Sequence, residues 1–283
     1  MKTLIDDIKS KNKDQEDYSE ININNLLNEN KKIVAFIGAS KSGTSFMINN
    51  VAQDLSTKGV NVAILDVTQN RSSYYIYTKN EENLRRIAST STELLVEGQA
   101  RGIEVNNNLS VYTALPGENE QIQKVEPILE TLLKKHSLVL IDCDFKTPIK
   151  YFEYAMEIYL VQTMEILTIQ PLTEFLSNLK NKGVLQDTKL RIIINKYVKV
   201  DGITEREIIG GMSYYNDPAM AYMKELFNRN LVPYMTIPFD VTLYEKYLMA
   251  VVNCDINLEG YSYNFIHLLE QLSKEVYSFE NNL

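Results

Sequence analysis

The sequence is poor in cysteine and proline, lacks tryptophan, and has fewer basic than acidic residues. Its 283 residues include two cysteines and seven prolines, with 29 lysines and arginines against 37 aspartates and glutamates. Two cysteines are too few for a disulfide scaffold and indicate a reducing compartment. A net charge of −8 argues against a broad basic surface for DNA, although a local basic patch stays open.

Long apolar runs are also missing. No stretch reaches the roughly 18 apolar residues of a membrane span, and the N-terminus has no apolar run of the kind found in a signal peptide. We therefore expect a cytoplasmic protein with no direct membrane span. The chain is 45% hydrophobic and 23% charged. That balance is ordinary for a globular protein and excludes a collagen, a coiled-coil rod and a mainly disordered chain.

Short apolar runs alternate with helical patterns from residue 32 onward. Seven such runs each predict a buried parallel strand; they lie at positions 33–37, 60–65, 109–113, 138–141, 158–163, 190–194 and 234–237. Strands that alternate with helices predict an α/β fold, with a mainly parallel, twisted sheet of seven or eight strands and helices on both faces. We expect one domain over residues 32–283 and a polar N-terminal arm over residues 1–31, for which a partly ordered leader is the alternative.

Apolar spacing also predicts individual helices. Residues 46–55, 122–133 and 265–276 each carry an apolar face with helical period. A cap and an N1 proline, Asp217-Pro218, predict a further helix over residues 219–228.

A glycine-rich loop joins the first predicted strand to the first predicted helix. It reads Gly38-Ala39-Ser40-Lys41-Ser42-Gly43-Thr44-Ser45. The phosphate loop G-x-x-x-x-G-K-[ST] has the same two glycines and the same final hydroxyl, but a lysine where Thr44 stands. Backbone amides and the helix dipole favour an anion at such a turn.

We predict that this loop binds nucleotide phosphates and that Lys41 supplies positive charge in place of the missing lysine. A strand-to-helix turn that binds nothing is the alternative. The residues predicted to bind are Gly38, Ser40, Lys41, Ser42, Gly43, Thr44 and Ser45.

Aspartates follow two of the predicted strands. Asp142 ends the run at 138–141, and Asp66 ends the run at 60–65. Ligands of open α/β sheets bind outside the carboxyl ends of strands, and an aspartate after four apolar residues has the Walker B form that orders Mg²⁺. We predict a magnesium site formed by Ser45 and Asp142, with Asp66 as a further candidate acting through a metal-bound water. The alternative is that each aspartate caps the loop after it.

In their order and spacing these motifs resemble the MinD/ParA superfamily of deviant-Walker ATPases, over residues 32–273. The resemblance also includes a strand that ends in Pro116-Gly117, a strand that ends in Asn195, and the I-P-x-D loop Ile237-Pro238-Phe239-Asp240. It implies a P-loop ATPase fold with ATP and Mg²⁺ as ligands. It also implies that Asn195 and Pro238 flank the adenine.

The resemblance further implies a homodimer that forms on nucleotide and acts as a positioning or assembly factor. The I-P-F-D sequence of this loop most resembles the TadZ/CpaE branch, whose members localise and help assemble tight-adherence pilus machines. That similarity implies a protein partner in a membrane-associated assembly such as a pilus, secretion or conjugation machine, and recruitment to the membrane through that partner.

The sequence departs from the family pattern at the residues that promote hydrolysis. The family's signature lysine aligns with Ala39, the phosphate-loop lysine with Thr44 and the catalytic switch I aspartate with Thr68. Because phosphoryl transfer depends on positioning and charge neutralisation, we expect hydrolysis to be very slow or absent while binding persists. Asp144, beside the Walker B residue, is a neighbouring carboxylate that could substitute for the missing one.

Three other functions stay open on the sequence. A pseudo-ATPase scaffold would bind no nucleotide and work only through protein contacts. A bacterial P-loop tyrosine kinase shares the fold and has a tyrosine-rich tail, but the 18 tyrosines here are spread along the chain. DNA partitioning would need a basic patch, and Lys189, Arg191, Lys196 and Lys199 fit a solvated face better, so we expect no DNA binding.

Overall fold

The computed structural model describes residues 23–28, 30–118, 120–165, 169–202, 204–209, 226–228 and 230–278. Within these residues one sheet of eight strands forms the centre, in the order β3-β4-β2-β5-β1-β6-β7-β8. All neighbouring strands are parallel except β3 and β4, which are antiparallel. The predicted α/β class with a mainly parallel sheet is confirmed.

The strands are β1 (Lys32–Gly38), β2 (Val62–Asp66), β3 (Ile103–Asn106), β4 (Leu109–Tyr112), β5 (Leu138–Cys143), β6 (Glu157–Gln162), β7 (Leu190–Tyr197) and β8 (Tyr234–Pro238). The helices in the described residues are α1 (Ile23–Leu26), α2 (Thr44–Thr57), α3 (Ser72–Tyr77), α4 (Glu82–Val96), α5 (Val125–Lys135), α6 (Ile149–Tyr154), α7 (Ile169–Asn181), α8 (Glu205–Ile208), α9 (Val241–Val252) and α10 (Tyr263–Val276).

Strand β1 is central and packs against helices on both faces. Its residues alternate between two hydrophobic cores, since Ile33 and Ile37 belong to one and Val34 and Phe36 to the other. Helices α5, α6 and α7 cover the first core, and α2, α9 and α10 cover the second. A strand buried on both faces is a continuous apolar run in the sequence, which is why its position could be predicted.

The predicted elements and the observed ones differ mainly at their ends. Strand β2 begins at Val62 rather than at position 60, because Val60 donates its amide to the Leu55 carbonyl and closes the turn after α2. Residue Ile122 lies in a separate 3-10 turn before α5. The short edge strand β3 was not predicted, since its four residues carry too little periodicity. Most of the helix predicted over residues 219–228 lies outside the described residues.

The end of the predicted N-terminal arm packs on the domain. Helix α1 contacts α5, and Ile23 is buried in the first core. The Lys31 ammonium donates to the carbonyl of Leu133 in α5, and the Tyr277 hydroxyl donates to the carbonyl of Asn30 at 3.0 Å. Residues 1–22, the rest of the predicted arm, lie outside the described part of the chain. No helix of the described residues is both long and apolar enough to cross a membrane.

Candidate functional site

The loop between β1 and α2 turns through two residues with left-handed backbone. Lys41 has a φ of 66° and Gly43 a φ of 96°, and the Ser42 amide donates to the Ala39 carbonyl at 3.0 Å. Helix α2 begins directly after Gly43, which has no side chain to accept from the first-turn amides. These amides can therefore bind an anion.

Both glycines of this loop are required by close contacts. A Cβ on Gly38 would lie 2.4 Å from the Val161 carbonyl oxygen and 2.3 Å from the Ser42 hydroxyl. A Cβ on Gly43 would lie 2.2 Å from the side-chain nitrogen of Asn195. Since real Cβ contacts are never this short, the two glycines of the predicted phosphate loop stand where only glycine fits.

The end of β7 holds the loop from the other side. Asn195 Nδ2 donates to the Ser42 carbonyl at 2.8 Å, and Lys196 Nζ donates to the Lys41 carbonyl at 3.2 Å. Asn195 is buried and lines the cleft beside the loop, but its amide nitrogen is used by the loop backbone. Lys196, expected on a solvated face, lies against this loop.

A serine and an aspartate meet below the start of α2. The Ser45 hydroxyl donates to Asp142 Oδ2 at 2.7 Å and lies 3.1 Å from the Ser72 hydroxyl. Burial and the nearby Asp66 raise the pKa of Asp142 well above its ordinary value, while the Ser45 hydrogen bond opposes this shift. A buried carboxylate of this kind is stabilised by a cation.

These two oxygen ligands fit Mg²⁺, which commonly takes one or two protein ligands and completes its shell with phosphate and water. The described residues contain no cluster of three or more histidines, cysteines, aspartates or glutamates that could hold a metal by itself. A magnesium ion bound by Ser45 and Asp142 would complete its coordination with phosphate and water oxygens.

Asp66 lies beneath the cleft. Its Oδ1 accepts from the Thr68 amide at 3.0 Å and the Thr68 hydroxyl at 2.7 Å, and its Oδ2 accepts from the Ser73 amide at 3.0 Å. The side chain is fully buried and does not line the cleft. In this arrangement Asp66 shapes the loop after β2, and its contribution to a metal site remains a prediction.

A fully buried arginine anchors the same loop. Arg71 donates from one guanidinium nitrogen to the Asp66 carbonyl at 2.7 Å and from the other to the Glu118 carbonyl at 2.8 Å. These bonds hold the residues between β2 and α3 at the rim of the cleft, where Gln69 and Asn70 line it. Nothing in the sequence spacing around Arg71 predicts these two bonds, because both acceptors are backbone carbonyls.

A cleft of about 530 Å³ opens at the carboxyl ends of the strands, a volume in the range of small-molecule sites. Nine of the predicted residues line it: Gly38, Ser40, Lys41, Gly43, Thr44, Ser45, Asp142, Asn195 and Pro238. Ser42 and Asp66 do not. The parallel strands bring these groups together from distant parts of the chain.

One wall of the cleft is aromatic and apolar. Phe239, Tyr244 and Tyr247 line it together with Phe46 of α2, and the Phe46 and Tyr247 rings meet edge to face at 4.8 Å. Lys196 Nζ lies 5.7 Å from the Tyr244 ring centre. This wall was not predicted, although the tyrosines at positions 244 and 247 share one face of α9 and could have indicated it.

No family model and no curated protein matches this sequence significantly. Solved structures nevertheless match over most of its length. A variant of McdA from Cyanothece in complex with ATP has a TM-score of 0.59 at 14% identity, covering 90% of this chain and 100% of that one. A Borrelia burgdorferi protein assigned to plasmid partition, bound to AMPPNP, has a TM-score of 0.57 at 17% identity, covering 87% and 98%.

The septum site-determining protein MinD from Pyrococcus horikoshii, complexed with Mg-ADP, has a TM-score of 0.54 at 19% identity, covering 87% of this chain and 97% of that one. This chain has the MinD/ParA fold. The predicted phosphate loop, the predicted Walker B aspartate Asp142 and the I-P-x-D loop all border one cleft. The agreement concerns architecture, because all three identities are below 20%.

Proposed function

We propose that this protein belongs to the MinD/ParA superfamily and binds ATP with Mg²⁺ in the cleft at the strand ends. The observation that carries the proposal is the loop between β1 and α2. Its two glycines stand where a side chain would clash, and the loop opens a helix beside the Ser45–Asp142 pair. An anion cradle next to two hard oxygen ligands suits a nucleotide phosphate and its magnesium.

Each part of the cleft would then have its own task. The backbone amides of residues 40–44 and the Lys41 ammonium would bind phosphates, while Ser45 and Asp142 would hold Mg²⁺, which neutralises phosphate charge. The base would lie near Pro238, against the aromatic wall of Phe239, Tyr244 and Tyr247. Asn195 would act on the base side by holding the loop through Ser42.

We further propose that hydrolysis is very slow or absent. Thr44 replaces the phosphate-loop lysine, and its hydroxyl lies 3.1 Å from the Ser42 hydroxyl. Thr68 replaces the switch I aspartate, and its hydroxyl donates to Asp66. One charge-assisted hydrogen bond contributes about 1.5–3 kcal/mol, so the missing lysine weakens binding without abolishing it.

The proposed cellular role is that of a dimerising positioning or assembly factor, cytoplasmic and recruited to a membrane-associated machine by a partner protein. Support comes from α9, where Val241, Met249 and Val252 are exposed and do not line the cleft. Exposed apolar patches of this kind mark protein–protein contacts. In its most specific form, the proposal is that the protein belongs to the TadZ-like branch and that the machine is a pilus.

Calorimetric titration of Mg²⁺-ATP into the purified protein tests the proposal, with light scattering to measure mass with and without nucleotide. Micromolar binding together with a doubling of mass is the expected result. Absence of heat and of any melting shift at millimolar ATP, in a protein that still melts cooperatively, would overturn it. The chain would then act as a scaffold that binds no nucleotide.

A further inference from the structure

Asp144 lies on the loop after β5, two residues beyond the Walker B aspartate, and lines the cleft. Its carboxylate is fixed by backbone amides from two loops. Oδ2 accepts from the Gln69 amide at 2.7 Å, and Oδ1 accepts from the Lys146 amide at 2.8 Å. The first bond crosses from the β5 loop to the β2 loop, so this carboxylate lies one residue from Thr68.

We propose that Asp144 supplies the carboxylate that orients the attacking water, in place of the aspartate that Thr68 replaces. The inference rests on the proposed ATP binding and names the residue through which residual hydrolysis proceeds. A carboxylate has about four lone-pair sites. The two amide bonds and a longer one from the Thr147 hydroxyl at 3.5 Å leave acceptor capacity for water. An acceptor already fixed by the protein needs no reorganisation during the reaction.

Three other polar groups around the cleft already make hydrogen bonds of their own. The Thr68 hydroxyl donates to Asp66 and accepts from the Arg71 amide at 3.2 Å. Asp142 accepts from Ser45. Asp240 caps α9 by accepting from the amides of Thr242 and Leu243. Of the aspartates that line the cleft, Asp144 is therefore the one placed on the loops that border Thr68.

The step is ordinary hydrolysis of the terminal phosphate. The water oxygen bonds to the γ phosphorus, and the bond from that phosphorus to the β–γ bridging oxygen breaks, leaving its electron pair on ADP. One water proton stays on the new phosphate and the other passes to bulk water. Asp144 accepts a hydrogen bond from the water and holds it in line with the bond that breaks.

The test compares Asp144→Asn with the unaltered protein. Asparagine loses the charge and keeps one carbonyl oxygen, which can accept from only one of the two loop amides. We expect single-turnover hydrolysis of Mg²⁺-ATP to fall about 100-fold. We expect the calorimetric Kd for ATP to stay the same or become lower, because a negative charge near the phosphates is removed.

Two further variants make the result specific. Asp144→Glu retains the carboxylate and should hydrolyse ATP faster than Asp144→Asn. Asp255→Asn makes the same chemical change at an aspartate that does not line the cleft and should leave hydrolysis unchanged. Melting temperatures of all variants are measured alongside.

The outcomes separate this inference from the proposed function. If the unaltered protein binds no ATP, the proposed function fails and the inference with it. If it binds ATP but never hydrolyses it, or if Asp144→Asn hydrolyses it at the unaltered rate, the inference is overturned and ATP binding stands. Parallel losses of rate, affinity and melting temperature in Asp144→Asn would also overturn it, because they indicate a structural role.

Discussion

The side chain of Asn195 packs so closely on Gly43 that a methyl group at Gly43 would lie 2.2 Å from the Asn195 amide nitrogen. The same nitrogen donates to the carbonyl of Ser42 at 2.8 Å. The end of β7 thus determines the path of the loop after β1, and the two strands are separated in the sheet only by β6.

This contact predicts that Gly43→Ala is more destabilising than an ordinary change of a left-handed glycine. Gly183 has a φ of +74° with nothing within 4 Å of its missing Cβ, so Gly183→Ala measures the backbone strain alone, about 1–2 kcal/mol. Gly43→Ala should cost at least about 2 kcal/mol more, because overpacking adds to the strain. Urea unfolding measures both values.

Adding Asn195→Ala to Gly43→Ala provides the control for the clash. The double variant should recover part of the lost stability, since the two substitutions act on one contact and are not additive. Equal losses for Gly43→Ala and Gly183→Ala would contradict the contact.

Lys41→Ala should weaken ATP binding about 10–100-fold, the equivalent of one charge-assisted hydrogen bond. Lys41 lines the cleft beside the loop amides and is the cation within the loop itself. Isothermal titration with Mg²⁺-ATP gives the ratio of dissociation constants. Lys199→Ala, at an exposed lysine outside the cleft, is the matched control and should change affinity less than about twofold. Similar affinities for the two variants would show that Lys41 does not reach the phosphates.

Asp142→Asn should stabilise the unliganded protein and abolish its response to magnesium. Burial and Asp66 raise the pKa of Asp142, so its ionised form is unfavourable in the unliganded protein. Replacing it with a neutral isostere should raise the melting temperature without ligand by about 2 °C, the equivalent of about 1 kcal/mol. The additional rise that Mg²⁺ gives over ATP alone should disappear. Thermal unfolding with ATP, in magnesium and in EDTA, measures both effects, and an unchanged magnesium response would refute the assignment of Asp142.

The buried ring of His136 should make the free energy of unfolding fall in mild acid. Its ring is buried between Tyr112 and Asn61, with Nε2 2.8 Å from the tyrosine hydroxyl and Nδ1 2.7 Å from the asparagine oxygen. Burial lowers its pKa from 6.5 to about 4. Between pH 4 and 6.5, therefore, the imidazole of His136 binds a proton in the unfolded chain but not in the folded protein. Stability should fall as the pH drops from about 6.5 to 4, by on the order of 3 kcal/mol.

Urea unfolding at several pH values tests this prediction. The chain has only two histidines, and the other, His267, is exposed on α10. His136→Gln should flatten the pH dependence in this window and lower stability at neutral pH, while His267→Gln should leave the slope unchanged. A slope that survives in His136→Gln would assign it to another group.

The sequence alone determined the α/β class, the buried strands at the apolar runs and the loop at Gly38 and Gly43. It also placed Asp142 at a strand end. These features depend on local signals: unbroken apolar runs, two glycines between a strand and a helix, and acidic residues at the ends of apolar runs. The edge strand β3 has only four residues and gives no comparable signal.

Tertiary structure alone decided which side chains meet across the strand ends. It brought Asn195 and Lys196 onto the phosphate-type loop, Arg71 onto two backbone carbonyls, and Asp144 onto the Gln69 amide. It also turned the tyrosines of α9 into one wall of the cleft. No periodicity encodes these contacts, because each joins segments that are distant in sequence and become neighbours only when the parallel strands align their carboxyl ends at one edge of the sheet.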